Sequence, residues 1–290
     1  METVHTIQWM KELAQDALVN ERSLGLVPTM GALHEGHFSL VRAAKRKCSP
    51  VVVSIFVNPK QFGPSEDLKK YPRTFEADRE ALAGLGVDIL FAPTSEEMYP
   101  AGFNTSVSVK GLSDRWEGRV RPGHFDGVAT VVLKLFEIVQ PRIAFFGRKD
   151  AQQARIIRQM ATDLNLNTEI DLCPIVREPD GLALSSRNIY LSPDDRRAAV
   201  AISQALAACQ GSISGGERDL ANLLATMRAK LESEPRLAVD YAEIVDADSF
   251  EPVRVIRGNC YALIAAKVGG TRLIDNAYIE SESDAVRVLL

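Results

Sequence analysis

No apolar run in the 290 residues reaches the roughly 20 that a membrane-spanning helix needs; the nearest, Val128–Val139, carries Lys134 inside it. There is no block of basic residues either. Thirty-four Lys and Arg are set against 38 Asp and Glu, for a formal net charge of −4. Nucleic-acid binding runs on phosphate neutralisation, so neither nucleic acid nor membrane is expected as a partner. The four cysteines, Cys48, Cys173, Cys209 and Cys260, are scattered and form no CxxC pair. They read as reduced structural thiols of a cytoplasmic protein. No G-x-G-x-x-G follows a strand-like run, which weakens a dinucleotide-dependent dehydrogenase, and the absence of G-x-x-x-x-G-K-[ST] argues against a P-loop ATPase. The first residues, METVHTIQWMKELAQD, mix acidic with apolar side chains and are expected to be neither signal nor transit peptide. Histidine is scarce. There are four, and two of them, His34 and His37, stand three residues apart.

What is present is the balance of a folded protein, 46% hydrophobic and 25% charged. At roughly 150 residues per domain the length suggests two domains or one large one. Through the first 180 residues, short β-branched runs alternate with amphipathic stretches. Leu24–Val27, Val51–Val57, Val87–Phe91, Ile143–Phe146 and Thr168–Cys173 read as strands. Phe75–Leu85, Val128–Val139 and Ala151–Leu164 read as helices. That rhythm predicts a parallel sheet covered on both faces. Pro174–Pro193 breaks the rhythm, which sets a domain boundary near residues 177–188. Beyond lie helical patterns at Pro193–Gln210 and Glu217–Glu232, divided by the Gly-rich GSISGG, and then strand-like pieces at Val239–Val245 and Tyr261–Val268. Helices followed by strands predict a small α+β domain.

Ligands of open α/β sheets lie outside the carboxyl ends of the strands, so the residues after each strand carry the information. Pro28-Thr29-Met30-Gly31-Ala32-Leu33-His34-Glu35-Gly36-His37 follows the first run and opens a helix, whose N-terminus favours an anion. Two imidazoles there can donate to phosphate oxygens without a metal. Asn58, Pro59, Lys60 and Gln61 follow the second run; Gly147, Arg148, Lys149 and Asp150 follow the fourth, with Gln152 and Gln153 in the next helix. Three such loops on one sheet edge make a site. A zinc site at His34 and His37 is disfavoured, because no cysteine is near and the other histidines are His5 and His124. On sequence mechanics alone Ser185-Ser186-Arg187 reads as a polar linker, lacking the G-x-S-x-G of a hydrolase nucleophile.

PTMGALHEGH resembles the HxGH signature of the nucleotidyltransferase superfamily that includes class I aminoacyl-tRNA synthetases. With VSIFVNPKQF, YPRT, RPGHFDGVATVV, GRKDAQQ, REPDGLALSSRN and a late TRLIDN in one order, the chain resembles the pantoate–beta-alanine ligase (pantothenate synthetase) family over nearly its whole length. The resemblance implies an α/β fold: a Rossmann-like parallel sheet with helices on both faces, residues 1–180, binding ATP and pantoate. A small α+β lid domain, residues 181–290, would follow. It implies an AMP-forming carbon–nitrogen ligase of coenzyme A biosynthesis. Such an enzyme condenses pantoate with beta-alanine through an enzyme-bound pantoyl adenylate and releases AMP and pyrophosphate.

By the same resemblance His34, His37, Lys149 and Arg187 carry the chemistry, with His37 as proton donor. Met30, Gly31, Gly147, Asp150, Val176, Leu184, Ser185 and Ser186 complete the ATP site with them; Ser185 and Ser186 then belong to a KMSKS-like loop. Gln61, Gln153 and Asn58 serve pantoate and beta-alanine. ATP is expected as a substrate with Mg2+, whose protein ligands are not assigned, with no tightly bound organic cofactor and a homodimeric, cytoplasmic enzyme. Arg148 and Leu184 depart from the residues common in relatives, without removing a group the chemistry needs. Two rivals remain. Another nucleotidyltransferase would keep HxGH and Arg187 but has no use for Gln61 and Gln153. A silent nucleotide-binding module could keep the glycine turn while losing His37 or Lys149.

Overall fold

A computed structural model of the chain describes residues 1–63, 68–282 and 285–290. These divide into two compact units: residues 1–148 with 152–174, and residues 149–151 with 175–290.

The first unit is built on strands β1 (Glu2–Val4), β2 (Gly25–Thr29), β3 (Val51–Ile55), β4 (Ile89–Phe91), β5 (Ile143–Gly147) and β6 (Glu169–Cys173). They form one sheet in the order β1-β4-β3-β2-β5-β6, every neighbouring pair parallel. Central parallel strands are covered on both faces and therefore read as unbroken apolar runs, as VVV and IAFF do. The connecting helices are α1 (Ile7–Val19), α2 (Glu35–Lys47), α3 (Phe75–Gly84), α4 (Ser95–Met98), α5 (Trp116–Val120), α6 (His124–Val139) and α7 (Ala151–Asp163). Val27, Leu40, Val41, Val53, Leu90 and Phe145 share one buried cluster, which fastens α2 to β2, β3, β4 and β5.

From β2 the chain moves to β3 and β4 on one side, then returns to β5 and β6 on the other. The order reverses between β2 and β5, and ligand crevices of open α/β sheets form at such a point. The pairing of β2 with β5 stops after Leu26↔Ala144, whereas β2 runs with β3 as far as Thr29↔Ile55. Pro28 has no N–H to give a ladder, and it stands in the part of β2 that β5 has already left. Strand β2 therefore extends through Pro28 to Thr29, beyond the end at Val27 expected from the sequence.

The second unit carries α8 (Pro193–Ser214), α9 (Leu220–Glu232), β7 (Leu237–Asp246), β8 (Cys260–Val268), β9 (Thr271–Glu282) and β10 (Ala285–Leu289). Its sheet is antiparallel, ordered β10-β9-β8-β7. Ile202, Leu206, Leu223, Met227, Ile264 and Ile279 make its core with other apolar residues. Helix α8 does not end at Gln210; it continues to Ser214, through Gly211. Burial of Cys209 and Ile213 on either side outweighs the roughly 1 kcal/mol that a helical glycine costs. Only Gly215 and Gly216, the latter at φ +96°, end it. None of the helices among the described residues is long and apolar enough to cross a membrane.

Candidate active site

The HxGH segment begins as a strained turn. Gly31 and Ala32 both have left-handed backbones, with φ +83° and +52°. A side chain at Gly31 would also meet Ile55 Cγ2 at 3.1 Å and Asp78 Oδ2 at 3.2 Å, so the turn itself explains that glycine. Asp78 of α3, only 4% exposed, closes the turn. Its two carboxylate oxygens accept from Ala32 N and Leu33 N, each at 2.9 Å, and Thr74 Oγ1 donates to Oδ2 at 3.1 Å.

Helix α2 then starts with His34 as its N-cap. Nδ1 of His34 accepts from Gly36 N at 3.2 Å, and Nδ1 of His37 accepts from His34 N at 3.4 Å, a reciprocal capping box made by two imidazoles. A backbone N–H can only donate, so both Nδ1 atoms are unprotonated acceptors. Each neutral ring then carries its proton on Nε2. The rings lie 4.2 Å apart, centroid to centroid. Local capping thus fixes both tautomers and makes each Nε2 a hydrogen-bond donor at a helix N-terminus.

The segment after β3 is held as tightly. Asn58 is fully buried. Its Oδ1 accepts from Lys60 N at 3.2 Å and from Tyr99 Oη at 2.9 Å; its Nδ2 donates to Gly127 O and to Gln61 Oε1, both at 3.0 Å. The backbone partners at Lys60 and Gly127 decide which way the Asn58 amide faces. Gln61 must therefore present Oε1 to it and use Nε2 elsewhere. The Gln61 carbonyl accepts from His124 Nδ1 at 2.8 Å and from Arg121 Nη2 at 3.2 Å. A Cβ on Gly127 would stand 2.1 Å from Lys60 O, so only glycine lets α6 approach this turn. The RPGHFDG stretch thereby has a job: Arg121, His124 and Gly127 brace the Asn58–Gln61 turn.

Because β3, β2 and β5 are neighbours in a parallel sheet, Met30–His37, Asn58–Gln61 and Gly147–Arg148 leave it at one edge. Met30, His34, His37 and Gly147 are half-buried, and a Cβ on Gly147 would meet open space. The two adjacent glutamines of α7 divide their work. Gln152 is buried, donating to Leu112 O and Arg115 O at 2.8 and 2.9 Å and accepting from Glu117 N. Gln153 is half-buried beside it.

Within the second unit, Lys149 and Asp150 lie on the single 3-10 turn Arg148–Asp150, and Asn276 Nδ2 of β9 donates to Lys149 O at 2.8 Å. Residues 176–184 form a small hairpin: Leu184 N donates to Val176 O at 3.0 Å and Arg177 bridges to Ala183. This places Val176 and Leu184 side by side. Ser185 then caps a 3-10 turn over Ser186–Tyr190, its Oγ accepting from Arg187 N at 3.3 Å. Lys149, Asp150, Val176, Leu184, Ser185, Ser186 and Arg187 are all half-buried. The four thiols take no part. All are buried, and burial raises the thiols of Cys173, Cys209 and Cys260 to about 11, so they carry no thiolate at neutral pH.

The family model described as Pantoate-beta-alanine ligase matches residues 2–278. The chain belongs to the pantoate-beta-alanine ligase family. Curated relatives named pantothenate synthetase include one from Thermotoga neapolitana, 50% identical over 279 residues, covering 96% of this chain and all of the relative. Another, from Acidobacterium capsulatum, is 55% identical over 258 residues, 89% and 86% of the two chains. The crystal structure of pantothenate synthetase from Thermus thermophilus superposes with a TM-score of 0.91 at 46% identity, covering 95% of this chain and 98% of that one. A pantoate-beta-alanine ligase from Francisella tularensis, crystallised with beta-gamma ATP and beta-alanine, gives 0.79 at 35% identity, covering 95% and 97%.

Several supporting residues of this ligase fold escaped the sequence reading. Asp78 and His124 act on backbone groups 46 and 63 positions away, a distance at which no local pattern signals a partner. His124 lies within RPGHFDGVATVV, one of the stretches that carry the family resemblance, and Asp78 lies four residues past the end of YPRT. Tyr99 stands outside them all.

Proposed function

We propose that this chain, whose family reaction joins pantoate to beta-alanine at the expense of ATP, does so through a pantoyl adenylate held at the HxGH edge. A pantoate carboxylate oxygen attacks the α-phosphorus, the bond to the bridging oxygen breaks, and pyrophosphate leaves. The deprotonated amine of beta-alanine then attacks the acyl carbon. The acyl–oxygen bond breaks, AMP departs with that oxygen, and the two protons lost by the ammonium pass to phosphate and water. An attack of one anion on another needs positioning and opposing charge more than a covalent nucleophile.

The observation that best supports this reading is the pair of capped imidazoles. His34 and His37 offer Nε2–H donors at the N-terminus of α2, where a phosphate is favoured. We assign His37 the donation to the departing phosphate, and Lys149 and Arg187 the offsetting of charge that develops there. Met30, Gly31, Gly147, Asp150, Val176, Leu184, Ser185 and Ser186 would surround the nucleotide. Gln61, with Nε2 turned away from Asn58, would donate to pantoate alongside Gln153, and Asn58 would act by orienting Gln61.

Residues 1–180 would bind ATP and pantoate, with residues 181–290 as the lid that keeps water from the adenylate. Magnesium would arrive with ATP, held by phosphate and water. The resemblance also supports a cytoplasmic homodimer. The test is AMP release from ATP with pantoate and beta-alanine offered separately and together. Release should require pantoate and turn over repeatedly only with both; steady release without pantoate overturns the reading.

A further inference from the structure

The late TRLIDN stretch has no part in the chemistry so far, yet it holds two of the most deeply buried polar side chains of the second unit. Asp275 is 3% and Asn276 2% exposed, on β9. Asp275 faces Arg177, which reaches its carboxylate at 2.6 Å through Nη1 and 3.1 Å through Nη2. Asp275 Oδ1 also accepts from Asn276 N at 2.8 Å. Asn276 sends its amide the other way, donating from Nδ2 to the carbonyl of Lys149 at 2.8 Å. Arg177 in turn donates to Gly181 O at 3.1 Å, inside the hairpin that leads to Ser185–Arg187.

We propose that Asn276 is a positioning residue for Lys149, with Asp275 and Arg177 as the anchor that keeps Asn276 in place. Lys149 needs such support. Its ammonium rides on a flexible four-carbon stem, and its backbone is on a 3-10 turn of only three residues just ahead of α7. A side-chain donor on its carbonyl fixes the base from which that stem swings. The buried Asp275 carboxylate contributes charge as well, since Lys149 is among the cations that stabilise its ionised form. Burial pushes the Asp275 carboxyl up, and the Arg177 pair opposes that shift. The same network reaches the hairpin at Gly181, so one buried pair on β9 braces Lys149 and the approach to Arg187 within a single unit.

The inference rests on the role given to Lys149 above, and the experiment separates the two. Single-turnover adenylate formation and aminolysis of preformed adenylate would be measured for Asn276→Ala, Lys149→Ala and the double variant, with thermal melting as a fold control. Misplacing a catalytic group by about 1 Å costs up to about 10²-fold, so Asn276→Ala should slow adenylation by about tenfold or more. Aminolysis should stay within about twofold of the parent, the usual margin for an uncoupled effect. On the Lys149→Ala background, Asn276→Ala should change adenylation by less than about twofold, because the group it positions is gone. The Lys149 carbonyl is still there in that background, so a purely structural role for Asn276 would slow both backgrounds equally. Equal, multiplying effects, or an Asn276→Ala rate equal to the parent's, would overturn the inference while leaving Lys149's role standing. Parent-like adenylation by Lys149→Ala itself would overturn that role and this inference with it. Should Asn276→Ala fail to fold, Asn276→Ser, which keeps a polar side chain but is too short to reach the Lys149 carbonyl, takes its place in the same cycle with the same expectations.

Discussion

Replacing His37 by alanine should slow formation of the adenylate by about 10²- to 10³-fold, the cost of losing one preorganised hydrogen-bond donor to charge that develops in the transition state. The cost to the fold should be far smaller. His37 Nδ1 is one half of the α2 capping box, and losing such a cap costs about 1 kcal/mol. His37→Asn separates the two roles. Its amide oxygen can take the place of Nδ1 and accept from His34 N, but nothing replaces Nε2–H. Melting near the parent's value with adenylation still slowed by orders of magnitude is the expected pair of results, read by calorimetry and rapid quench. Near-parent turnover by His37→Asn would remove His37 from the chemistry and leave it a helix cap.

Lys149→Ala should lower single-turnover adenylate formation by about 10²- to 10³-fold, as loss of one preorganised charge-stabilising group does. The half-reactions distinguish its task. Charge builds on the departing pyrophosphate only in the first, so aminolysis of preformed adenylate should lose much less. The fold should persist, because the structural bond at this position goes to the Lys149 carbonyl, which alanine keeps. Equal loss in both half-reactions would place Lys149 in general nucleotide binding and contradict its assignment to the pyrophosphate.

The central strands were legible because parallel strands buried on both faces leave runs such as VVV and IAFF with no polar interruption. Their polar carboxyl-end loops were legible for the same reason: charge and amide stand out against such runs. Strand β9 was not. Its core-facing positions include Thr271, Leu273, Asp275, Ala277 and Ile279, and a buried aspartate at the centre breaks the alternation that marks a strand. The polar residue that hides the strand is the one Arg177 pairs with. The end of α8 was misplaced because Gly211 looks like a breaker until Cys209 and Ile213 are seen buried around it. At the HxGH turn the residue types were readable and the tautomers were not. They follow from which backbone N–H each ring caps, and that is a property of three-dimensional placement.

The oxygen bookkeeping of the reaction tests the adenylate route most directly. Pantoate labelled with 18O in both carboxylate oxygens would be turned over with ATP and beta-alanine, and the products examined by mass spectrometry. Attack on the α-phosphorus followed by aminolysis leaves one label in the amide carbonyl of the product and moves the other to AMP, one per molecule formed. Label in pyrophosphate or in water, or AMP with none, would contradict a pantoyl adenylate.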